Sequence, residues 1–131
     1  MELKSSAKIN IGLHVHSKRS DGFHNISTLF QEINLYDLIK IDEAENFSCK
    51  TDCGNIPESD NFGTKAFRIV KKLKPELPNV SISIRKAIPM NAGLGGGSSN
   101  GTAVLKGLNH LFSLSLDKNK LSLIANEISS D

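Results

Sequence analysis

The sequence predicts an α+β domain, and three observations lead to this prediction. Apolar and polar residues alternate near the N-terminus, as they do in strands that bury one face. Three later stretches space their apolar residues as one face of a helix. A glycine-rich segment joins another alternating stretch, residues 80–85, directly to one of these helices. The 131 residues suffice for one domain with a core, in which we expect a mixed or antiparallel sheet packed by helices.

The first strand is predicted over residues 7–15, where apolar residues occupy every odd position. The pattern is typical of a half-buried strand whose polar face carries the even-numbered residues. Lys8 and Asn10 should therefore point in the same direction, roughly 6–7 Å apart. His14 and His16 share that face, and without a third ligand we interpret them as partly exposed strand residues rather than a metal pair.

The next segments read as further strands joined by turns. Asp21-Gly22 is a strong turn signal, so residues 18–24 should connect the first strand to a returning one. The predicted elements that follow are a strand over Ile26–Asn34, a turn at Tyr36-Asp37, a short strand over Leu38–Ile41, an edge strand over Phe47–Lys50 and a polar loop over residues 52–59.

Two helices and one more strand are predicted from spacing and capping residues. Asp60 is expected to cap the first helix, which should end before Pro75. Its apolar face comprises Phe62, Ala66, Ile69, Val70 and Leu73. Val80, Ile82 and Ile84 alternate with polar residues and predict a strand. Asp117 should cap the last helix, whose inward residues are Leu121, Ile124, Ala125 and Ile128.

The composition excludes several functional classes. Sixteen basic residues against fourteen acidic ones give a net charge of +2, too balanced to indicate binding to nucleic acid or a membrane surface. No apolar run approaches the ~20 residues of a membrane span, and the N-terminus resembles neither a signal nor a transit peptide. We interpret Cys49 and Cys53 as reduced thiols of a cytoplasmic protein rather than as metal ligands.

The segment from Lys86 to Phe112 carries the strongest functional signal. Pro89 ends the preceding strand, and four glycines follow at positions 93, 95, 96 and 97. After Ser98 and Ser99 come the apolar residues of a helical face, Val104, Leu105, Leu108, Leu111 and Phe112. A glycine loop at a helix start favours anions, because the first N–H groups lack partners and glycine lets phosphate approach closely.

The type of phosphate site follows from the details of this segment. No lysine follows the glycines, as a Walker motif requires, and Ser98 stands where a Rossmann motif has its last glycine. The pattern P-x-x-x-G-L-G-G-G-S-S, from Pro89 to Ser99, resembles the phosphate-binding motif of the GHMP kinases, which phosphorylate hydroxyls of small molecules. The three consecutive glycines are most similar to those of the diphosphocytidyl methylerythritol kinases. Residues 6–11, 18–24, 28–31 and 60–61 resemble that family's other motifs, in the same order.

The resemblance implies an ATP-binding site. Its residues would be Pro89, Gly93, Leu94, Gly95, Gly96, Gly97, Ser98 and Ser99, with Asn61 and Lys86 towards the adenosine end. Ser99 would bind or support Mg²⁺, which prefers hard oxygen ligands.

The resemblance also implies a site for the phosphoryl acceptor. Phe23 would stack on a cytosine ring and His24 would form a hydrogen bond with it, while Asn10 would contribute to substrate binding. Phe23 stands where the family usually has tyrosine, so stacking is kept and any hydroxyl contact is lost.

The family's catalytic pair corresponds to Lys8 and Asp131. Asp131 is assigned by order and spacing, because Ser129-Ser130 replaces the usual Gly-Ala before it. The aspartate would accept the proton of the substrate hydroxyl, and the lysine would keep that aspartate ionised.

We therefore predict an ATP-dependent kinase that acts on a hydroxyl of 4-diphosphocytidyl-2-C-methyl-D-erythritol, in non-mevalonate isoprenoid biosynthesis. Residues 1–131 would be the N-terminal, ATP-binding domain of a truncated enzyme that lacks its C-terminal domain and is inactive alone. Two alternatives stay open: another GHMP kinase, of the homoserine or mevalonate type, and a non-catalytic nucleotide-binding domain. The sequence does not define the oligomeric state.

Overall fold

A computed structural model describes residues 1–129, which form a four-stranded sheet and three α-helices. The elements are β1 (Glu2–Lys18), β2 (His24–Glu43), β3 (Ser48–Thr51), α1 (Phe62–Leu73), β4 (Val80–Arg85), α2 (Gly96–Leu111) and α3 (Lys118–Ile128), with a 3-10 turn at Glu58–Asp60. The strand order is β1-β2-β4-β3; β3 pairs with β4 in parallel and the other pairs are antiparallel. The predicted α+β class and mixed sheet are confirmed.

The core lies between one face of the sheet and the three helices. Ile39 and Ile41 of β2 pack with Ile82 and Ile84 of β4, all at most 2% exposed. The helices contribute Ala66, Phe67, Val70, Val104, Leu105, Leu108, Ile124 and Ile128 to the same cluster. The alternation that predicted β4 therefore reflects a strand with one buried face, as expected.

The hairpin formed by β1 and β2 extends well beyond this core. β4 pairs with β2 only from Leu38 onward, so the hairpin arm, residues 8–32, has no strand beside β2. Ile11, Leu13 and Val15 are 49–55% exposed. The prediction of a half-buried strand is wrong for this part of β1, because no helix or further strand among residues 1–129 covers it. The turn predicted at Asp21-Gly22 is confirmed, with Gly22 at φ 87°.

The turn predicted at Tyr36-Asp37 is wrong, since β2 runs without interruption through both residues. Asp37 is fully buried, and its carboxylate accepts hydrogen bonds from the N–H groups of Ala87 and Ile88. The carboxylate of Asp37 therefore binds a distant segment of the chain and does not form a local turn. The two strands predicted on either side of it are parts of one strand.

The helices begin and end close to the predicted positions. Three predictions about individual residues are corrected. Asn61, not Asp60, caps α1, because its Oδ1 accepts the N–H of Gly63 at 2.9 Å. Leu73 and Leu111, the last residues of α1 and α2, were predicted to face inward but are 43% and 37% exposed. Asp117 caps α3 as predicted, through the N–H of Lys120 at 2.8 Å.

Candidate functional site

The glycine turn, residues 89–95, leads directly into α2. Gly93 and Gly95 have φ values of 73° and 70°, a left-handed conformation that glycine adopts without a Cβ clash. The sequence indicated a glycine loop as far as Ser99. The helix instead begins at Gly96, so Gly96 to Ser99 form its first turn. The N–H groups of Gly96 and Gly97 precede the first intrahelical bond, from Ser99 N–H to the Gly95 carbonyl at 2.9 Å.

Two of these glycines are required by close packing. A Cβ on Gly96 would lie 2.9 Å from Cγ2 of Ile88, and one on Gly97 would lie 2.8 Å from Cε2 of Phe62. Both neighbours are packed side chains of other elements. The start of α2 can therefore approach the preceding segment and α1 only because these positions lack side chains.

Lys8 connects the first strand to the glycine turn. Its backbone N–H donates to the Leu94 carbonyl at 3.0 Å, and its Nζ donates to the Gly93 carbonyl at 3.1 Å. The same ammonium donates to Oδ1 of Asn10 at 2.7 Å, which confirms that Lys8 and Asn10 point in the same direction. The side chain also lies against Gly95, where a Cβ would be 3.1 Å from Cε of Lys8. The structure thus brings the predicted catalytic lysine to the predicted phosphate loop.

A cavity of about 370 Å³ lies on one side of the glycine turn. Asn61, Lys86 and Asn100 line it together with residues 89–98, so it contains the residues predicted to bind ATP except Ser99. The ammonium of Lys86 forms a buried ion pair with Asp37, so its charge is already compensated. Contacts of Asn61 and Lys86 with ATP stay predictions.

A second and larger cavity, of about 950 Å³, lies on the other side of the turn. Its lining includes Lys8, Asn10, Phe23, His24 and Ser99. Phe23 is 60% exposed, which leaves its ring free to stack on a ligand. Gly95 and Ser98 line both cavities, so the start of α2 separates them. The structure therefore groups the residues predicted to bind the acceptor around one cavity.

Ser99 is the residue predicted to support Mg²⁺. Its hydroxyl accepts a hydrogen bond from Oγ of Ser5 at 2.8 Å, which orients it from β1. A serine hydroxyl is a hard oxygen, and Mg²⁺ commonly takes few protein ligands beside substrate phosphates and water, so Ser99 fits this role. Within residues 1–129 no group of three or more His, Cys, Asp or Glu could hold a metal ion. Asp131, the predicted base, lies outside the described residues.

Asp37 lies near the site, and the sequence pattern did not predict its role. Burial favours its neutral form, but hydrogen bonds from Ile88, Lys86, Ala87 and the side chain of Asn100 outweigh burial and lower the pKa of Asp37 below 3.8. The one signal in the sequence was an acidic residue within the apolar stretch from Leu35 to Ile41.

The remaining candidate ligands lie away from the two cavities. His14 and His16 are exposed strand residues, and His16 forms a hydrogen bond with Ser27. Cys49 and Cys53 are free thiols, and burial raises the pKa of Cys49 to about 11. None of the helices within residues 1–129 is long and apolar enough to cross a membrane.

Comparison with known proteins agrees with this arrangement. The family model described as the GHMP kinases N terminal domain matches residues 61–131. The 4-diphosphocytidyl-2-C-methyl-D-erythritol kinases of Caldicellulosiruptor bescii and Caldicellulosiruptor saccharolyticus are 44% and 45% identical over the whole chain, which covers 47% and 46% of them. The chain therefore spans about half the length of the curated relatives it matches.

Solved structures give the same result. A crystal structure of 4-(cytidine 5'-diphospho)-2C-methyl-D-erythritol kinase superimposes on 98% of the chain with a TM-score of 0.82 and 30% identity, and the chain covers 46% of it. Phosphomevalonate kinase from Streptococcus pneumoniae shares the fold, with a TM-score of 0.71 and 17% identity. With more than half of its residues matched by the family model, the chain belongs to the GHMP kinases.

Proposed function

We propose that the chain is the N-terminal, ATP-binding domain of an enzyme that phosphorylates a hydroxyl of 4-diphosphocytidyl-2-C-methyl-D-erythritol. The reaction is a step of non-mevalonate isoprenoid biosynthesis. The names of its relatives suggest this substrate. A C-terminal domain would complete the enzyme, because the relatives are about twice as long as the chain.

One observation carries the proposal: the first turn of α2 lies between two cavities. ATP would occupy the smaller cavity, with its phosphates at the N–H groups of Gly96 and Gly97, where the helix dipole favours negative charge. The diphosphocytidyl substrate would occupy the larger one. The γ-phosphoryl group would then face the acceptor hydroxyl across Gly95 and Ser98, which line both cavities.

Recognition of the acceptor would depend on the hairpin arm. Phe23 and His24 lie at its turn, where the phenyl ring can stack on cytosine and the imidazole can form a hydrogen bond with the base. Asn10 and Lys8 lie nearer the glycine turn, so they would contact the methylerythritol end. This order along the cavity supports a long substrate with a base at one end.

The chemical step would form a bond between the acceptor oxygen and the γ-phosphorus as the bond to ADP breaks. Asp131 would accept the proton of the hydroxyl, and Lys8 would stabilise the ionised aspartate. Lys8 already holds the turn through Gly93 and Leu94, so its ammonium is positioned with little further ordering. Ser99 would help to hold Mg²⁺, which neutralises charge on the phosphates when bound.

The free thiols of Cys49 and Cys53 support a cytoplasmic location for the enzyme, since a reducing compartment keeps cysteines unpaired.

Calorimetric titration with cytidine diphosphate and a non-hydrolysable ATP analogue tests the proposal. We expect each to bind in the presence of the other, since the two cavities are separate. Homoserine and mevalonate serve as controls and should not bind. The proposal is contradicted if the ATP analogue displaces cytidine diphosphate from one shared site, or if homoserine or mevalonate binds and cytidine diphosphate does not.

A further inference from the structure

The buried carboxylate of Asp37 lies beneath the segment that enters the glycine turn. Oδ1 accepts the N–H groups of Ala87 and Ile88 at 2.7 and 2.9 Å, and Oδ2 pairs with the ammonium of Lys86. Three consecutive residues before Pro89 are thus held by one side chain of β2. Asp37 itself is 0% exposed and lines neither cavity.

The same anchor also acts on the other end of the turn. The side chain of Asn100, in the second turn of α2, helps to lower the pKa of Asp37. Ile88 is the side chain against which Gly96 packs, at a distance that leaves no space for a Cβ. Fixing the backbone at Ile88 therefore also fixes the first residue of α2.

We propose that Asp37 is a positioning residue for nucleotide binding, which sets the conformation of the glycine turn by holding the backbone at its entrance and, through the Ile88 side chain, the start of α2. The inference rests on the proposed function only in naming the ligand as a nucleotide. Asp37 acts through the backbone of Ala87 and Ile88 and through the contact of Ile88 with Gly96, and touches no substrate. Its role depends on hydrogen-bond acceptance by Oδ1 rather than on the ion pair alone.

Two double variants test this role. They differ in whether the side chain at position 37 has an oxygen that can accept hydrogen bonds. Asp37→Asn with Lys86→Met removes the ion pair but keeps an amide oxygen that can accept both N–H groups. Asp37→Leu with Lys86→Met removes the ion pair and the acceptor. Replacing both members of a buried ion pair avoids the unpaired buried charge that a single substitution would leave, so both proteins should fold. Because both carry Lys86→Met, any contribution of Lys86 to nucleotide binding cancels.

Amide hydrogen exchange provides the first measurement. We expect the amides of Ala87 and Ile88 to exchange about tenfold faster in the leucine variant than in the asparagine variant, as loss of a buried acceptor predicts. The amides of β4 (Val80–Arg85) serve as the internal control and should exchange alike in both. A purely structural role would instead accelerate exchange in β4 and in the turn by the same factor, and would contradict the proposal.

Binding of an ATP analogue and of cytidine diphosphate provides the second measurement. The leucine variant should bind the ATP analogue about tenfold more weakly than the asparagine variant, while both bind cytidine diphosphate equally. Equal affinity of the two variants for the ATP analogue would overturn the proposal. If the parent chain bound no nucleotide, the proposed function would fail, and the exchange rates at Ala87 and Ile88 would still decide whether Asp37 holds the turn.

Discussion

At the scale of single residues, the site depends on one glycine beside one lysine. Gly95 ends the glycine turn in a left-handed conformation, and its missing side chain leaves room for the stem of Lys8. Lys8 in turn donates hydrogen bonds to two carbonyls of the turn. A change at either position should therefore disturb the other.

We expect Gly95→Val to abolish binding of an ATP analogue. A β-branched side chain is strained at this positive φ, and its Cβ would lie 3.1 Å from Lys8 and obstruct the approach of phosphate. Fluorescence titration of the folded variant measures the effect. Gly22→Val is a matched control, since Gly22 also has a positive φ but lies in the hairpin turn with no atom near its Cβ. Parent-like binding by Gly95→Val would show that the turn is not the phosphate site.

Phe23→Ala should weaken binding of cytidine diphosphate by about 1–3 kcal/mol, the usual contribution of a base stacked on an aromatic ring. Binding of the ATP analogue should not change, because Phe23 lines only the larger cavity. Calorimetry gives both affinities. Leu29→Ala removes another exposed side chain of the same arm, outside the cavity, and should change neither. Equal losses for both ligands in Phe23→Ala would instead indicate a structural role.

At the scale of elements, β2 is both the central support of the sheet and the anchor of the glycine turn. Its second half pairs with β1 on one side and with β4 on the other. Asp37 lies directly before that doubly paired stretch, and its carboxylate is fully buried. The stability of this region should therefore depend on the ionisation of one residue.

The lowered pKa of Asp37 predicts a loss of stability in acid. A carboxyl group whose folded-state pKa lies below its unfolded value of 3.8 contributes stability above that pH, and the contribution is lost as the pH falls through the folded value. The free energy of unfolding of the parent should thus fall more steeply below about pH 4 than that of Asp37→Asn. At neutral pH, Asp37→Asn should cost about 3–5 kcal/mol, because it leaves Lys86 buried and unpaired.

Urea denaturation at a series of pH values measures both effects. Asp42→Asn, a change at an exposed position of the same strand, should keep the steep acid dependence of the parent. If Asp37→Asn lost stability below pH 4 as steeply as the parent does, another group would be responsible for the acid dependence.

At the scale of the whole molecule, the hairpin arm forms one wall of the larger cavity while its own apolar side chains are exposed. Phe23, Ile26 and Phe30, which line this cavity, are 60%, 46% and 57% exposed. The larger cavity is therefore open to water along much of its length. Phosphoryl transfer requires a site from which water is excluded, so this wall is incomplete for catalysis.

The 131-residue polypeptide should consequently not turn over 4-diphosphocytidyl-2-C-methyl-D-erythritol. In this polypeptide the α-carboxylate of Asp131 would add a negative charge beside the proposed base and would compete for Lys8. The assay compares it with a chain of the full length typical of its relatives, with ATP-analogue binding measured for both. Nucleotide binding should persist in the shorter chain. Comparable turnover by the two would contradict either the assignment of Asp131 as base or the need for a second domain.

Local patterns in the sequence were sufficient to predict much of this molecule. The alternation in β4, the turn at Gly22, the cap at Asp117 and the glycine-rich start of α2 all depend on neighbours within a few residues, which periodicity and capping rules describe. The motif from Pro89 to Ser99 also indicated a kinase family before any contact was known. The resemblance of residues 6–11 and 18–24 to motifs of this family implied roles for Lys8, Asn10 and Phe23, and all three line the larger cavity.

Other features depend on contacts between residues far apart in the chain, which no local pattern contains. Asp37 and Lys86 are 49 positions apart, so their ion pair could not be predicted from neighbouring residues. Asp37 therefore resembled a turn residue, whereas in the fold its carboxylate is buried and paired. The exposure of Ile11 and Leu13 depends on where β4 and the helices end, although their alternation is that of a buried strand. The burial and partners of a side chain are set by the elements that pack on it, and these are defined only when the chain has folded.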